Sequence, residues 1–145
     1  MQRYYPALCQ SEKDMRKWLA ILVLLTGLLA CNKEKFEKQI EGNYTGTFQR
    51  TSPTGFYPQQ QVSLNLNNNS FSGQSTNARQ PAICHGSWEA GSGTIEFVNG
   101  CVWTADFDWT LILEGKFNYQ LNGNHLKIWK TVGEVTDAYE LEKAQ

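Results

Sequence analysis

Histidine occurs only twice in these 145 residues, at His85 and His125, and neither has an acidic or hydroxyl partner at motif spacing. The chain also lacks a His-x-x-x-His pair, a Gly-x-Ser-x-Gly elbow and a phosphate-cradling glycine loop. The common signatures of zinc enzymes, serine hydrolases and nucleotide binders are therefore missing. No apolar run reaches the roughly twenty residues that a bilayer crossing needs. Basic excess is absent too: 13 Lys and Arg stand against 14 Asp and Glu, a formal charge of −1, so no basic patch is expected to hold nucleic acid. Asp106 and Asp108, two apart, are carboxylates that a strand would aim the same way, and loop carboxylates are far more often simply solvated. Neither an enzyme nor a cofactor is expected.

What is present begins near the N-terminus. Arg16 and Lys17 precede an apolar run from Trp18 that closes on the small residue Ala30, the organisation of a cleaved secretory signal helix. Leu28-Leu29-Ala30-Cys31 resembles the lipobox of bacterial lipoproteins. In that family the Cys thiol receives a diacylglyceryl group, the signal is cut before it, and the new amino end is acylated with palmitate or a similar chain. The resemblance thus implies lipidation of Cys31 and a membrane as partner. More than one acyl chain gives stable anchoring, at about 0.8 kcal/mol per buried CH2. Asn32 in place of Asp after this Cys carries no signal for retention at the inner membrane, which implies the outer membrane. The stretch before Met15 contains Pro6, Glu12 and Asp14 and does not suit a short basic leader. Translation is expected to begin at Met15, the alternative being a long leader.

Removing residues 1–30 leaves 115 residues with nine Lys and Arg and twelve Asp and Glu, a charge of −3, enough for one small domain with one core. Residues 31–41 read as a tether and 42–145 as the domain. Phe36 and Ile40 sit four apart in the tether, so it is either a short helix packed on one end of the domain or a stalk.

From Gly42 the apolar period becomes two. Tyr44, Gly46 and Phe48 share one face of a first strand, with Gly46 suited to a close backbone approach, and a loop follows from Arg50 to Pro58. Val62, Leu64 and Leu66 form the next inward face. A turn centred on Asn68-Asn69 sets Leu66 opposite Phe71 and Leu64 opposite Gly73. A turn at Ser92-Gly93 sets Ala90 opposite Ile95, Trp88 opposite Phe97, and Cys84 opposite Cys101 in a close pair about 4.5 Å apart. Amphipathic alternation and cysteine register agree on that pairing, which predicts a Cys84–Cys101 disulfide adding on the order of 3 kcal/mol. Leu111-Ile112-Leu113 reads as a further strand. Asn122-Gly123 reads as a turn setting Tyr119 opposite Leu126 and Phe117 opposite Ile128. The last strand runs from about Val135 to Lys143, with Tyr139 and Leu141 inward and Asp137 on the solvated side.

Eight or nine short strands joined by hairpins predict an all-β fold, an antiparallel up-and-down meander closing into a small barrel. Gly42-Asn43-Tyr44-Thr45-Gly46 at the start, and Tyr119 to Leu126 with Tyr139-Glu140-Leu141 at the end, resemble small lipocalin-like barrels found as lipoproteins of Gram-negative bacteria. Tyr44 stands where the lipocalin signature has Trp. The resemblance implies a cup for a small apolar molecule. Trp88, Trp103, Phe107 and Trp109 are the candidate ligand contacts, with two readings: a stacking wall at the mouth, or core and plug. The alternative function is a non-catalytic interaction protein docking on an envelope partner through Phe56-Tyr57 or the aromatic stretch 103–109.

Overall fold

A computed structural model describes residues 35–144, so the signal segment, the start at Met15 and the lipidation at Cys31 lie outside the described residues. Eight antiparallel strands follow one another around a closed barrel: β1 (Gly42–Thr51), β2 (Gln60–Asn67), β3 (Ser70–Ser75), β4 (His85–Ala90), β5 (Thr94–Asn99), β6 (Gly115–Asn122), β7 (His125–Val132) and β8 (Val135–Lys143). β8 returns to β1 along eight rungs, from Tyr44 opposite Lys143 to Thr51 opposite Thr136, which leaves no sheet edge unpaired. Gly46 makes this seam possible. A Cβ there would overlap the Glu140 carbonyl oxygen and lie 2.8 Å from Leu141 Cα.

Alternation places Tyr44, Phe48, Leu64, Leu66, Phe71, Trp88, Ile95, Phe97, Phe117, Leu126, Ile128, Tyr139 and Leu141 inward, and all are buried. Eight strands enclose a lumen just wide enough for side chains to fill. An aromatic chain spans it: Phe71 to Phe97 at 5.2 Å, Phe97 to Phe117 at 5.8 Å, Phe117 to Tyr139 at 6.2 Å and Tyr139 to Phe48 at 4.9 Å between ring centroids. Three of these four contacts are edge-on, the geometry that ring quadrupoles favour. The interior around this chain is a packed core.

The helical turns at 36–40 cap one end of the barrel. Ile40 is fully buried, and Phe36 packs against the core four residues earlier. Tyr44 donates its hydroxyl to the Ile40 carbonyl at 2.6 Å, and the Glu41 carboxylate accepts from the Asn68 N–H at 3.1 Å, so β1 and the β2–β3 turn both hold this segment. The tether therefore ends as the packed helix, not as a stalk. The opposite end carries the three long connections, 52–59, 76–84 and 100–114, and the β7–β8 turn.

Two hairpin registers agree with the sequence reading. Leu66 faces Phe71 across a turn in which Asn68 and Asn69 both have positive φ, and Trp88 faces Phe97 as Ala90 faces Ile95. The β6–β7 register is displaced. Tyr119 opposes Ile128 and Leu121 opposes Leu126, because Gly123, at φ 61°, takes the first central position of the turn and Asn122 pairs with His125. A two-residue slip keeps every inward side chain inward, so the apolar pattern alone did not distinguish the two registers.

Leu111, Ile112 and Leu113 are not a strand. Trp109–Leu111 is a 3-10 turn capped by Asp108, and Ala82 bonds to both Leu111 and Leu113 through its backbone in an isolated parallel bridge to Ile112. Three consecutive buried side chains fit a segment covered on both sides. The Cys84–Cys101 disulfide is present, with Cα atoms 6.4 Å apart instead of the close spacing of a regular rung. The β4–β5 ladder has ended there: after the Gly100 N–H bonds to the His85 carbonyl at 2.8 Å the chains diverge.

Candidate functional site

The open end of the barrel is floored by a buried ion pair. Arg50 and Asp137 are each 6% exposed and occupy inward-facing positions near the end of β1 and the start of β8. The Arg50 guanidinium donates from Nε to Asp137 Oδ1 at 2.6 Å and from Nη2 to Oδ2 at 2.7 Å, a two-pronged match between planar groups. Nη1 donates to Thr110 Oγ1 at 2.8 Å and Nη2 to the Thr110 carbonyl at 2.7 Å. Thr110 in turn donates its hydroxyl and its N–H to Asp108 Oδ1, at 2.6 and 3.0 Å, and Asp108 Oδ2 lies 3.8 Å from Arg50 Nη1. The Asp137 hydrogen bonds raise the Arg50 pKa above its ordinary value, so the guanidinium stays charged although buried. This network ties the 3-10 turn to β1 and β8.

Above the pair lies a cleft of about 310 Å³, lined by Arg50, Thr110, Lys130, Val132, Val135 and Asp137. Lys130 stands at its side, with Nζ donating to the Glu114 carbonyl at 3.1 Å and lying 4.5 Å from the centre of the Phe117 ring. Burial pushes the Lys130 ammonium below the usual lysine pKa. Valine walls over a charged, hydrogen-bonded floor suit a small molecule with an apolar body and one polar end.

The aromatic residues expected as ligand contacts are not gathered in one place. Trp88 is fully buried in the core, and its indole N–H donates to the Ser70 carbonyl at 3.0 Å. Trp103 and Phe107 pack together at 4.7 Å between ring centroids in the β5–β6 connection, where the Arg79 guanidinium lies 5.8 Å from the centre of the Phe107 ring. The Trp103 indole N–H is buried without a protein partner. Trp109 stands apart on the 3-10 turn, 58% exposed, and shares this end of the barrel with the solvent-facing Phe56 and Val102. Asp106 and Asp108 do not form a pair. Asp106 bonds to Arg79 at 3.0 Å, and hydrogen bonds from Thr104 and Arg79 lower its pKa, while Asp108 caps the 3-10 turn.

Sequence reading missed Arg50 and Asp137, although the signal was there. Arg50 continues the even-numbered inward face of Tyr44, Gly46 and Phe48 past the expected start of the loop. Asp137 continues the odd-numbered inward face of Tyr139 and Leu141, opposite to the solvated side expected for it. Two charges of opposite sign at inward parity, on strands that close a barrel, are a signature that period-two counting can find.

Among the described residues no helix is long and apolar enough to cross a membrane. Comparison with protein-family models, with curated proteins and with solved structures returned no match.

Proposed function

We propose that this chain is a lipid-anchored, non-catalytic envelope lipoprotein of lipocalin-like build, held at the outer membrane through Cys31, whose barrel binds a small, largely apolar molecule. The packed interior leaves no room for a ligand among the core rings, so the proposed site is the mouth of the barrel. The observation that carries the reading is the cleft of about 310 Å³, with Val132 and Val135 over the Arg50–Asp137 pair.

Native mass spectrometry of the full chain taken from its own membrane tests the binding. A retained small molecule that is lost from the Val135→Asp variant supports the cleft. Protein free of small molecules in both forms removes it. Labelling with a clickable palmitate tests the anchor separately: label on the parent and none on Cys31→Ser is the expected result, and an unlabelled parent ends the envelope assignment.

The second reading, docking on an envelope partner, rests on Phe56 at 91%, Val102 at 100% and Trp109 at 58% exposure, all on the connections of the open end. A polypeptide retained in the same mass spectra favours it.

A further inference from the structure

The Cys84–Cys101 bond lies against an imidazole. His85 Nδ1 is 3.2 Å from Cys84 Sγ and 3.3 Å from Cys101 Sγ, and Nε2 is 4.0 Å from Cys101 Sγ. Both sulfurs are half-buried and the ring is exposed, and one ligand atom from each of the three residues falls within 4.8 Å of the others. Backbone geometry holds them there: the Gly100 N–H bonds to the His85 carbonyl at 2.8 Å, and the Cys84 carbonyl accepts from the Gly73 N–H at 2.8 Å. A tetrahedral zinc ion with Zn–S near 2.3 Å and Zn–N near 2.05 Å separates sulfur from nitrogen by about 3.6 Å and sulfur from sulfur by about 3.8 Å. The two sulfur–nitrogen distances are already within about 0.4 Å of that requirement. Only the two sulfurs have to part, and the 6.4 Å between the cysteine Cα atoms gives their side chains room to do so.

We propose that reduction converts this covalent brace into a soft-metal site in which Cys84, Cys101 and His85 hold one zinc-like divalent ion. A dithiol reductant supplies two electrons and two protons. The S–S bond breaks, two S–H groups form, and the reductant is left as its own disulfide. The divalent ion then displaces both thiol protons to solvent as two metal–sulfur bonds form, with no change in its oxidation state. The neutral imidazole is the third ligand, and water completes the tetrahedron. The hairpin from His85 to Gly100 thus stays tied at its base in both redox states, by a disulfide in one and by the metal in the other.

The test is a Co2+ titration of the untagged full chain with Cys9→Ser and Cys31→Ser, so that Cys84 and Cys101 are its only cysteines, oxidised and after dithiol reduction with excess reductant removed under nitrogen. Reduced protein is expected to take up one Co2+ with thiolate-to-cobalt charge-transfer absorption, oxidised protein none, and His85→Ala is expected to weaken the reduced site about tenfold or more. His85 is exposed, so this variant keeps the disulfide and the barrel. Thiolate bands in the reduced protein that are unchanged in His85→Ala overturn the proposed ligand set. Absence of those bands in the reduced parent overturns the site, as does a reduced chain that unfolds and is not restored by Co2+.

Discussion

Replacing Asp137 by Ala would leave the Arg50 guanidinium, 5% exposed as a side chain, without its carboxylate. The variant loses hydrogen bonds of 2.6 and 2.7 Å to a guanidinium that is almost wholly buried. Breaking one side of a buried ion pair costs about 3–5 kcal/mol. Arg50 retains both bonds to Thr110, and half-exposed Asp108 sits 3.8 Å away, so the lower end applies, about 3 kcal/mol. That is a large share of the roughly 5–15 kcal/mol that holds a domain of this size. Equilibrium urea unfolding reads it directly. With a slope of about 1.5 kcal/mol/M the midpoint should fall by about 2 M. The companion variant, Arg50→Met with Asp137→Ala, removes both charges and is expected to lie within about 1 kcal/mol of the parent, because the desolvation cost disappears with the pair. A midpoint shift under about 0.5 M for the single variant, or a double variant as unstable as the single, would refute the account of the floor.

The inward tyrosines make alkaline pH a second probe. Burial pushes Tyr44 up to about 12 from the ordinary value of 10.0, while the unfolded chain ionises near 10, so the folded state binds more protons between those values. The Tyr44 contribution is therefore fully present below about pH 10 and falls by on the order of 2 kcal/mol as pH rises toward 12; urea midpoints measured across that range should fall less steeply in Tyr44→Phe, the remaining slope coming from Tyr139 and Tyr119, which burial also raises. Gly46→Ala places a methyl group against the Glu140 carbonyl and Leu141 Cα, backbone that cannot yield, and should cost at least about 2 kcal/mol. Calorimetry should show Tm lower by on the order of 10 °C, and an unchanged Tm would mean that the β1–β8 seam is looser than described. Cys84→Ser with Cys101→Ser opens a tie spanning 17 residues and should lower stability by about 3 kcal/mol, with thiol counts on the denatured parent rising from none to two at these positions on reduction.

The exposed valines and aromatics at the open end are distributed in a way that local pattern did not predict. Trp88 and Trp109 are both tryptophans in apolar stretches, yet one is sealed in the core and the other faces solvent. The difference lies in what covers each. Trp88 has Ile95 and Phe97 on the facing strand of its own hairpin, while Trp109 rides on a 3-10 turn whose buried side is taken by Leu111.

Period-two alternation and the turn residues by themselves pointed to an antiparallel barrel, to the apolar side chains its strands aim inward and to the meeting of Cys84 with Cys101, because a strand aims successive side chains to opposite faces whatever surrounds it. The tertiary structure decided the rest. Whether the lumen is hollow depends on the summed volume of five aromatic rings meeting across it. The β6–β7 register depends on which turn residue takes a positive φ, since either choice keeps the same face inward. The Arg50–Asp137 pair exists because closing β8 onto β1 places positions 87 residues apart directly opposite each other on one rung. Facing parity is a local property of the chain; volume, closure and pairing across the barrel belong to the assembled whole.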